Sequence, residues 1–321
     1  MELRELGRTG IRITPLGLGT WQFSDGKGMA GTMWPKLNQI PAQAIMEHSL
    51  AAGMNWIDTA EMYGKGASER CVAQGLQALG KAPGEVVIAT KWWPLGRTAA
   101  SLRNTIGRRQ EALAPYPIDL HQIHAPVALS STRTLMETMA ELLRAGHIRA
   151  AGISNYSARD MRKAHAILRE LDCTLASNQV EYSLLNRRIE SNGVLDTAKE
   201  LGITIIAYSP LAQGLVSGKF HDDPALLRRR AALRKFSPPF GAAGLRKSQP
   251  LIDVLKEVAA RHNATPSQVA LNWIVSFHGD TVVAIPGATK LSQAQANAAA
   301  LNFTLSPDEC TAIDEASRRF R

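Results

Sequence analysis

The chain has 321 residues, 45% of them hydrophobic and 20% charged, the proportions of a globular fold rather than of a disordered segment or a membrane bundle. No stretch is apolar enough for long enough to read as a membrane span. Lys and Arg number 37 against 28 Asp and Glu, a net charge of +9 that suits anionic partners or a solvated basic face.

The densest basic run, Arg228-Arg229-Arg230 within ALLRRRAALRKF, is not interleaved with aromatic residues, which argues against nucleic acid as a partner. Three cysteines, Cys71, Cys173 and Cys310, are an odd and scattered set that fits reduced thiols. The opening MELRELGRTG has no apolar leader segment, so a cytoplasmic location is the expectation.

In chain order, short apolar runs alternate with longer helical stretches. LGLGT at 16 is the first candidate strand. MNWID at 54, VVIATK at 86, IDLHQIH at 118, IRAAGIS at 148, LASNQV at 175, ITIIAYS at 203 and TVVAIP at 281 follow. A recurrence near thirty residues is what a strand, a turn and a covering helix require. The stretches between carry a helical period: Leu135, Met139 and Leu142 share one stripe, with Leu143 alongside, and Met161, Ala164, Leu168 and Leu171 share another. Gly53, Gly146 and Gly202 stand where three of these helices must close before the next strand.

Eight strands, each leading into a helix, predict an α/β chain folded as a (β/α)8 TIM barrel, read as a single domain over residues 1–321. A barrel of this type needs about 250 residues. The surplus falls in a Gly-, Pro- and Arg-containing excursion over 208–248 and in an extra C-terminal helix. That helix opens on Ser306 as N-cap, with Pro307 and Glu309 in its first turn. Two rival nucleotide motifs fail. Gly17-Leu-Gly19 lacks the third glycine and the helix that must follow it. Gly214 to Lys219 is one residue short of a P-loop and lacks its Ser or Thr.

A barrel of this kind carries its site at the C-terminal ends of the strands. The second strand ends at Asp58, with Tyr63 five residues on; the third ends at Lys91 and the fourth at His124. The fifth ends in Ser154-Asn155, the sixth in Asn178-Gln179 and the seventh in Tyr208, while the eighth runs into IPGATK. Asp58, Tyr63, Lys91 and His124 thus meet at one rim. A tyrosine with its pKa near 10 is a reluctant acid at neutral pH, and a neighbouring ammonium lowers that value. A carboxylate holds the ammonium in place, and a histidine assists proton transfer. Such a set suits protonation of a carbonyl oxygen while hydride reaches its carbon. A metal site is not expected: His121 and His124 point to opposite faces of a strand, and neither CxxC nor HExxH occurs.

DTAEMYG, ATK, DLHQIH, GISNYS, NQVEYS, AYSPLAQG and IPGATK occur in the order and near the spacing of the aldo-keto reductase family, which the chain resembles from LGRTGIRITPLGLGTW to IPGATKLSQAQAN. The resemblance implies an N-terminal β-hairpin, from LRELGRTGIRITPLG, plugging the barrel. It also implies NADPH-dependent reduction of aldehydes or ketones to alcohols, with reversal to NADP+. Catalytic roles carry over to Tyr63 as general acid, to Lys91 and Asp58 as the pair that lowers its pKa, and to His124, which orients the carbonyl.

The cofactor residues implied are Thr20, Trp21 and Asp58; Ser154, Asn155 and Gln179 at the carboxamide; and Tyr208 stacked on the nicotinamide, with Ser209 beside it. Leu211, Gly214, Ser217 and Lys219 would close over the pyrophosphate. Gly287, Thr289, Lys290, Gln293 and Asn297 would take the adenosine end, with Lys290 facing a 2′-phosphate. The substrate residues implied are Trp21, Tyr63, Trp92 and His124; the aromatic walls would come from Trp21, Trp92 and Trp93. Ala125-Pro126 stands where many relatives carry tryptophan, which widens one wall. The expected partner is a small carbonyl compound, not nucleic acid or a membrane. Two other readings stay open: Lys91 as a Schiff-base nucleophile, and a cofactor-binding regulatory subunit with little turnover.

Overall fold

In a computed structural model, which describes residues 2–26, 39–229 and 238–321, the chain begins with an antiparallel hairpin of β1 (Arg4–Glu5) and β2 (Arg12–Ile13). Eight parallel strands follow: β3 (Leu18–Gly19), β4 (Trp56–Asp58), β5 (Val87–Trp92), β6 (Leu120–Ile123), β7 (Ala150–Ser154), β8 (Leu175–Glu181), β9 (Thr204–Tyr208) and β10 (Val282–Ala284). They neighbour one another in chain order. The last meets the first: Gly17 donates its N–H to Ala284 O and Ala284 to Pro15 O, both at 2.9 Å, so the sheet closes into the expected barrel.

Strand periodicity grades the barrel interior from apolar to polar. Alternate residues of a strand share a face. On β5 that puts Ala89 and Lys91 inside, with Ile88 and Trp92 against the helices; on β6 it puts Leu120 and Gln122 inside. The lower layer is Trp56, Ala89, Leu120, Ala150, Ala176, Ile206 and Val283. Leu6, Ile11 and Ile13 of the hairpin region pack beneath it, each burial favourable by about 1.5–3 kcal/mol. Gly7 sits where a Cβ would lie 2.6 Å from Ala176 O, at a φ of +61°, so only glycine lets the hairpin turn seat against the barrel floor. The layer above is polar: Lys91, Gln122, Ser177 and, at the rim, Asp58 and Gln179.

The outer helices form where the apolar stripes predict them. Helix Thr132–Arg144 is capped by Ser131, whose hydroxyl accepts from Thr134 N, and buries Leu135, Met139 and Leu142. Helix Ala158–Glu170 is capped by Ser157 and buries Met161, Ala164 and Leu168, with Leu171 half-buried at its end. Gly53, Gly146 and Gly202 all take positive φ. Helix Pro307–Ser317 has the full capping box of Ser306 and Glu309.

Two boundaries move. β8 runs two residues past Gln179, to Glu181. The excursion after β9 ends at Gly241 rather than at 248, because helix Ala242–Arg261 begins there; Gly244 and the internal Pro250 conceal it in the sequence. The basic run passes out of the described residues at Arg230. Among the described residues no helix is long and apolar enough to cross a membrane, and no group of three or more potential metal ligands forms.

Candidate active site

The strand ends surround a cleft of about 960 Å³, within the size range that holds small molecules and cofactors. At one end stand Tyr63 and His124, with Trp21 and Trp93 as aromatic walls. The cleft passes Tyr208 and reaches Gly287 and Asn297 at the other end.

Lys91 is the centre of the polar cluster. Its Nζ lies 2.5 Å from Asp58 Oδ1, donates to Thr59 O at 2.9 Å, and reaches Tyr63 OH at 3.4 Å. All three ammonium protons therefore have acceptors. Asp58 Oδ2 in turn accepts from Gln179 Nε2 at 2.9 Å and Gln122 Nε2 at 3.3 Å. The carboxylate is fixed by β6 and β8 as well as by the lysine. The imidazole of His124 meets the Tyr63 ring edge-on, 6.0 Å between centroids.

The electrostatics give each group a definite state. Burial pulls the Lys91 pKa down, but Asp58 and Tyr63 more than reverse this, and the net shift is upward. The amine is held as ammonium. Burial raises the Tyr63 pKa; Lys91 pulls the other way and Asp58 adds to the rise. The expected lowering by Lys91 is present, but burial outweighs it and the phenol stays protonated. Burial, and then the charge of Lys91, lower His124 to about 3, so its ring is neutral at any ordinary pH.

Along the cleft, Tyr208 OH donates to Asn155 Oδ1 at 3.1 Å, and Asn155 Nδ2 donates to His124 O at 3.3 Å. Asn155 holds a φ of +62°, a strained conformation for a side-chain-bearing residue that these bonds and its N–H to Gln179 O maintain. Ser154 Oγ also donates to Gln179 O, at 2.8 Å. The turn after β9 takes positive φ at Ser209, Ala212, Gln213 and Gly214, and Ser217 Oγ closes it on Gly214 O at 2.7 Å. Near Gly287, Gln293 Oε1 accepts from Thr289 N at 2.7 Å, and Asn297 faces Gly287 O at 3.5 Å.

Of the catalytic, cofactor and substrate residues expected from sequence, all but three line the cleft: Lys91, Trp92 and Lys290 do not. Lys91 lies just behind Tyr63, fully buried. Lys290 is exposed at the N-cap of helix Leu291–Ala298, outside the lining. Trp92 corrects the expectation of a substrate wall. It is one residue from the inward-facing Lys91, so strand parity sends it outward into the helix layer, under Arg97 at 5.0 Å. Trp93, expected beside it as an aromatic wall, does line the cleft.

Sequence reasoning passed over Gln22, Glu181, Ser292 and Thr265-Pro266-Ser267, which also line the cleft. The last three had a signal: Thr265 and Gln268 form a capping box with proline at the first turn. Gln22 had none. Its side chain packs where Gly287 leaves room, and its buried Oε1 accepts no hydrogen bond among the described residues. An extended polar ligand crossing the cleft there fits these residues.

Comparison with known proteins bears on the family and the fold. The model of the Aldo/keto reductase family matches residues 15–318. An uncharacterized oxidoreductase of Mycobacterium bovis is 38% identical over 310 residues, covering 97% of this chain and 91% of that protein. The chloroplastic pyridoxal reductase of Arabidopsis thaliana is 30% identical over 320 residues, covering 96% and 84%. The structure of a glycerol dehydrogenase from Gluconobacter oxydans superposes with a TM-score of 0.84 at 26% identity, covering 99% of this chain and 95% of that one. The chain belongs to the aldo/keto reductase family and is an oxidoreductase, in a family whose members typically use NADPH.

Proposed function

We propose that the protein reduces small aldehydes or ketones to alcohols with NADPH, in a single domain and in the cytoplasm, with Tyr63 as general acid. The observation that carries this reading is the chain Asp58–Lys91–Tyr63, at 2.5 and 3.4 Å, opening on the cleft beside a neutral His124.

Bound in the cleft, NADPH supplies the hydride. The residues do the rest. The carbonyl oxygen lies between Tyr63 OH and the imidazole of His124. As the carbon gains hydride, the oxygen takes the phenolic proton of Tyr63. The phenolate left behind faces the Lys91 ammonium, which stabilises the developing charge. Asp58 keeps that ammonium charged and aimed. A protonated Lys91 also argues against the Schiff-base reading, since an ammonium has no lone pair for attack.

For the cofactor, Tyr208 offers a face to the nicotinamide, and Ser154, Asn155 and Gln179 offer amide and hydroxyl groups to its carboxamide. Thr20 and Trp21 flank the same end. Ser209, Leu211, Gly214, Ser217 and Lys219 would cover the pyrophosphate. Gly287, Thr289, Gln293 and Asn297 would hold the adenosine end, and the exposed Lys290 would swing onto a 2′-phosphate. Loops after the last two barrel strands are a frequent phosphate site, which supports this placement.

Tryptophan fluorescence during titration with NADPH and then NADH, followed by turnover of 4-nitrobenzaldehyde, tests the reading. Quenching at lower NADPH than NADH, with turnover, is expected. Tight binding without turnover would point to the regulatory subunit, and no binding of either nucleotide would remove the reductase.

A further inference from the structure

Trp93 begins where β5 stops pairing. His124 donates to Trp92 O, but the next peptide N–H has left the strand ladder and still needs an acceptor. Glu61 supplies it: Oε1 accepts from Trp93 N at 2.7 Å. The same oxygen accepts from Arg97 Nη1, and Arg97 Nη1 also donates to Trp93 O at 3.0 Å. The peptide of Trp93 is therefore held at its N–H by Glu61 and at its carbonyl by the arginine paired to Glu61. Glu61 is anchored in turn, since its own N–H donates to Lys91 O at 3.2 Å. It grips the chain on both sides of Trp92.

A second arginine stands behind this clamp. Arg109 Nη1 lies 2.5 Å from Glu61 Oε2, and its Nε lies 3.0 Å from Glu69 Oε2. Two guanidiniums face the carboxyl groups of Glu61 and Glu69, of which Glu69 is fully buried and Glu61 nearly so. Buried charges hold their places only when paired in this way. The rigid end of the network is the peptide of Trp93, whose ring stands edge-on to His124 at 5.3 Å and lines the cleft.

We propose that Glu61 is a positioning residue that sets the substrate wall: through Arg97 and its own contact with Trp93 N–H, it fixes the indole beside His124 and so determines which carbonyl compounds fit. This rests on the reductase reading above. Glu61 is not among the residues that line the cleft. It acts on bulky substrates that lean on the indole and leaves slim ones alone.

The test compares propanal with 4-nitrobenzaldehyde in Glu61→Ala, Glu61→Gln, Trp93→Ala and the double variant Glu61→Ala/Trp93→Ala. Glu61→Ala is expected to raise KM for the aromatic aldehyde about tenfold, as a lost apolar wall does, with kcat and KM for propanal little changed. Glu61→Gln, which keeps an oxygen for Trp93 N–H, recovers most of that loss. In the double variant the KM effect equals that of Trp93→Ala alone, because there is no indole left to place. Equal KM increases for both aldehydes, a fall confined to kcat, or independent and multiplying effects in the double variant would overturn the proposal. Should Glu61→Ala not fold, Arg97→Met, which releases the Trp93 carbonyl from the other side of the clamp, gives the same cycle with Trp93→Ala. Failure of the unaltered protein to turn over either aldehyde would instead contradict the reductase reading itself.

Discussion

Lys91 and Asp58 form an ion pair sealed from solvent, Nζ to Oδ1 2.5 Å, with side-chain exposures of 0% and 1%. A pair in that position costs desolvation on both sides and is retained only if each charge keeps its partner. Asp58→Asn and Lys91→Met should therefore each destabilise the protein by about 3–5 kcal/mol, since either leaves one buried charge alone. Asp58→Asn/Lys91→Met together should lose less than the sum. Urea melts of the four proteins check this; additive losses would mean that the two charges do not depend on each other.

The protonation states predict a flat pH profile. His124 is neutral down to about 3, through burial and the charge of Lys91, and burial holds Tyr63 above its ordinary value near 10. Neither group changes state between pH 6 and 9. In steady-state assays, kcat/KM for reduction should vary by less than about twofold over that range. A limb centred near 6.5 that disappears in a His124 variant would show that the imidazole titrates and would contradict its assignment as a neutral hydrogen-bonding group.

Glu69 predicts a stability trend of opposite sign to the usual carboxylate. Burial raises its pKa from 4.5 to about 7, against the pull of Arg109 and the bond from Thr90. Between those values the folded state holds a proton that the unfolded chain has released. Stability from this group is present below pH 4.5 and is lost as pH rises toward 7. Relative to the wild type, Glu69→Gln should gain about 1.4 kcal/mol per pH unit across that window. Urea melts at pH 5, 6 and 7 measure the difference; parallel curves would contradict it.

The barrel was legible because its signal repeats: a strand-to-strand period near thirty, glycine closures and apolar stripes all point to one architecture. The polar rim was legible for the same reason, since each strand end is a fixed point in such a fold. What parity decides was available but not applied, since Trp92 and Trp93 were both expected as walls. Lys91 and Trp93 share a face and Trp92 does not, so the wall belonged to Trp93. The clamp on Trp93 was not legible. Arg97 and Arg109 meet Glu61 from 36 and 48 residues away, and no local pattern joins them. Gln22 is similar: nothing near it in sequence says that Gly287 will leave space for its side chain.

Tyr63→Phe is the sharpest probe of the proton donor, because it removes one oxygen from a ring whose packing against Trp21 and His124 can remain. NADPH dissociation constants from tryptophan quenching and kcat for 4-nitrobenzaldehyde are measured on both proteins. With Tyr63 as the acid, kcat falls about 10²–10⁴-fold while NADPH affinity stays nearly unchanged. Near wild-type turnover by the variant would mean that the proton comes from another group.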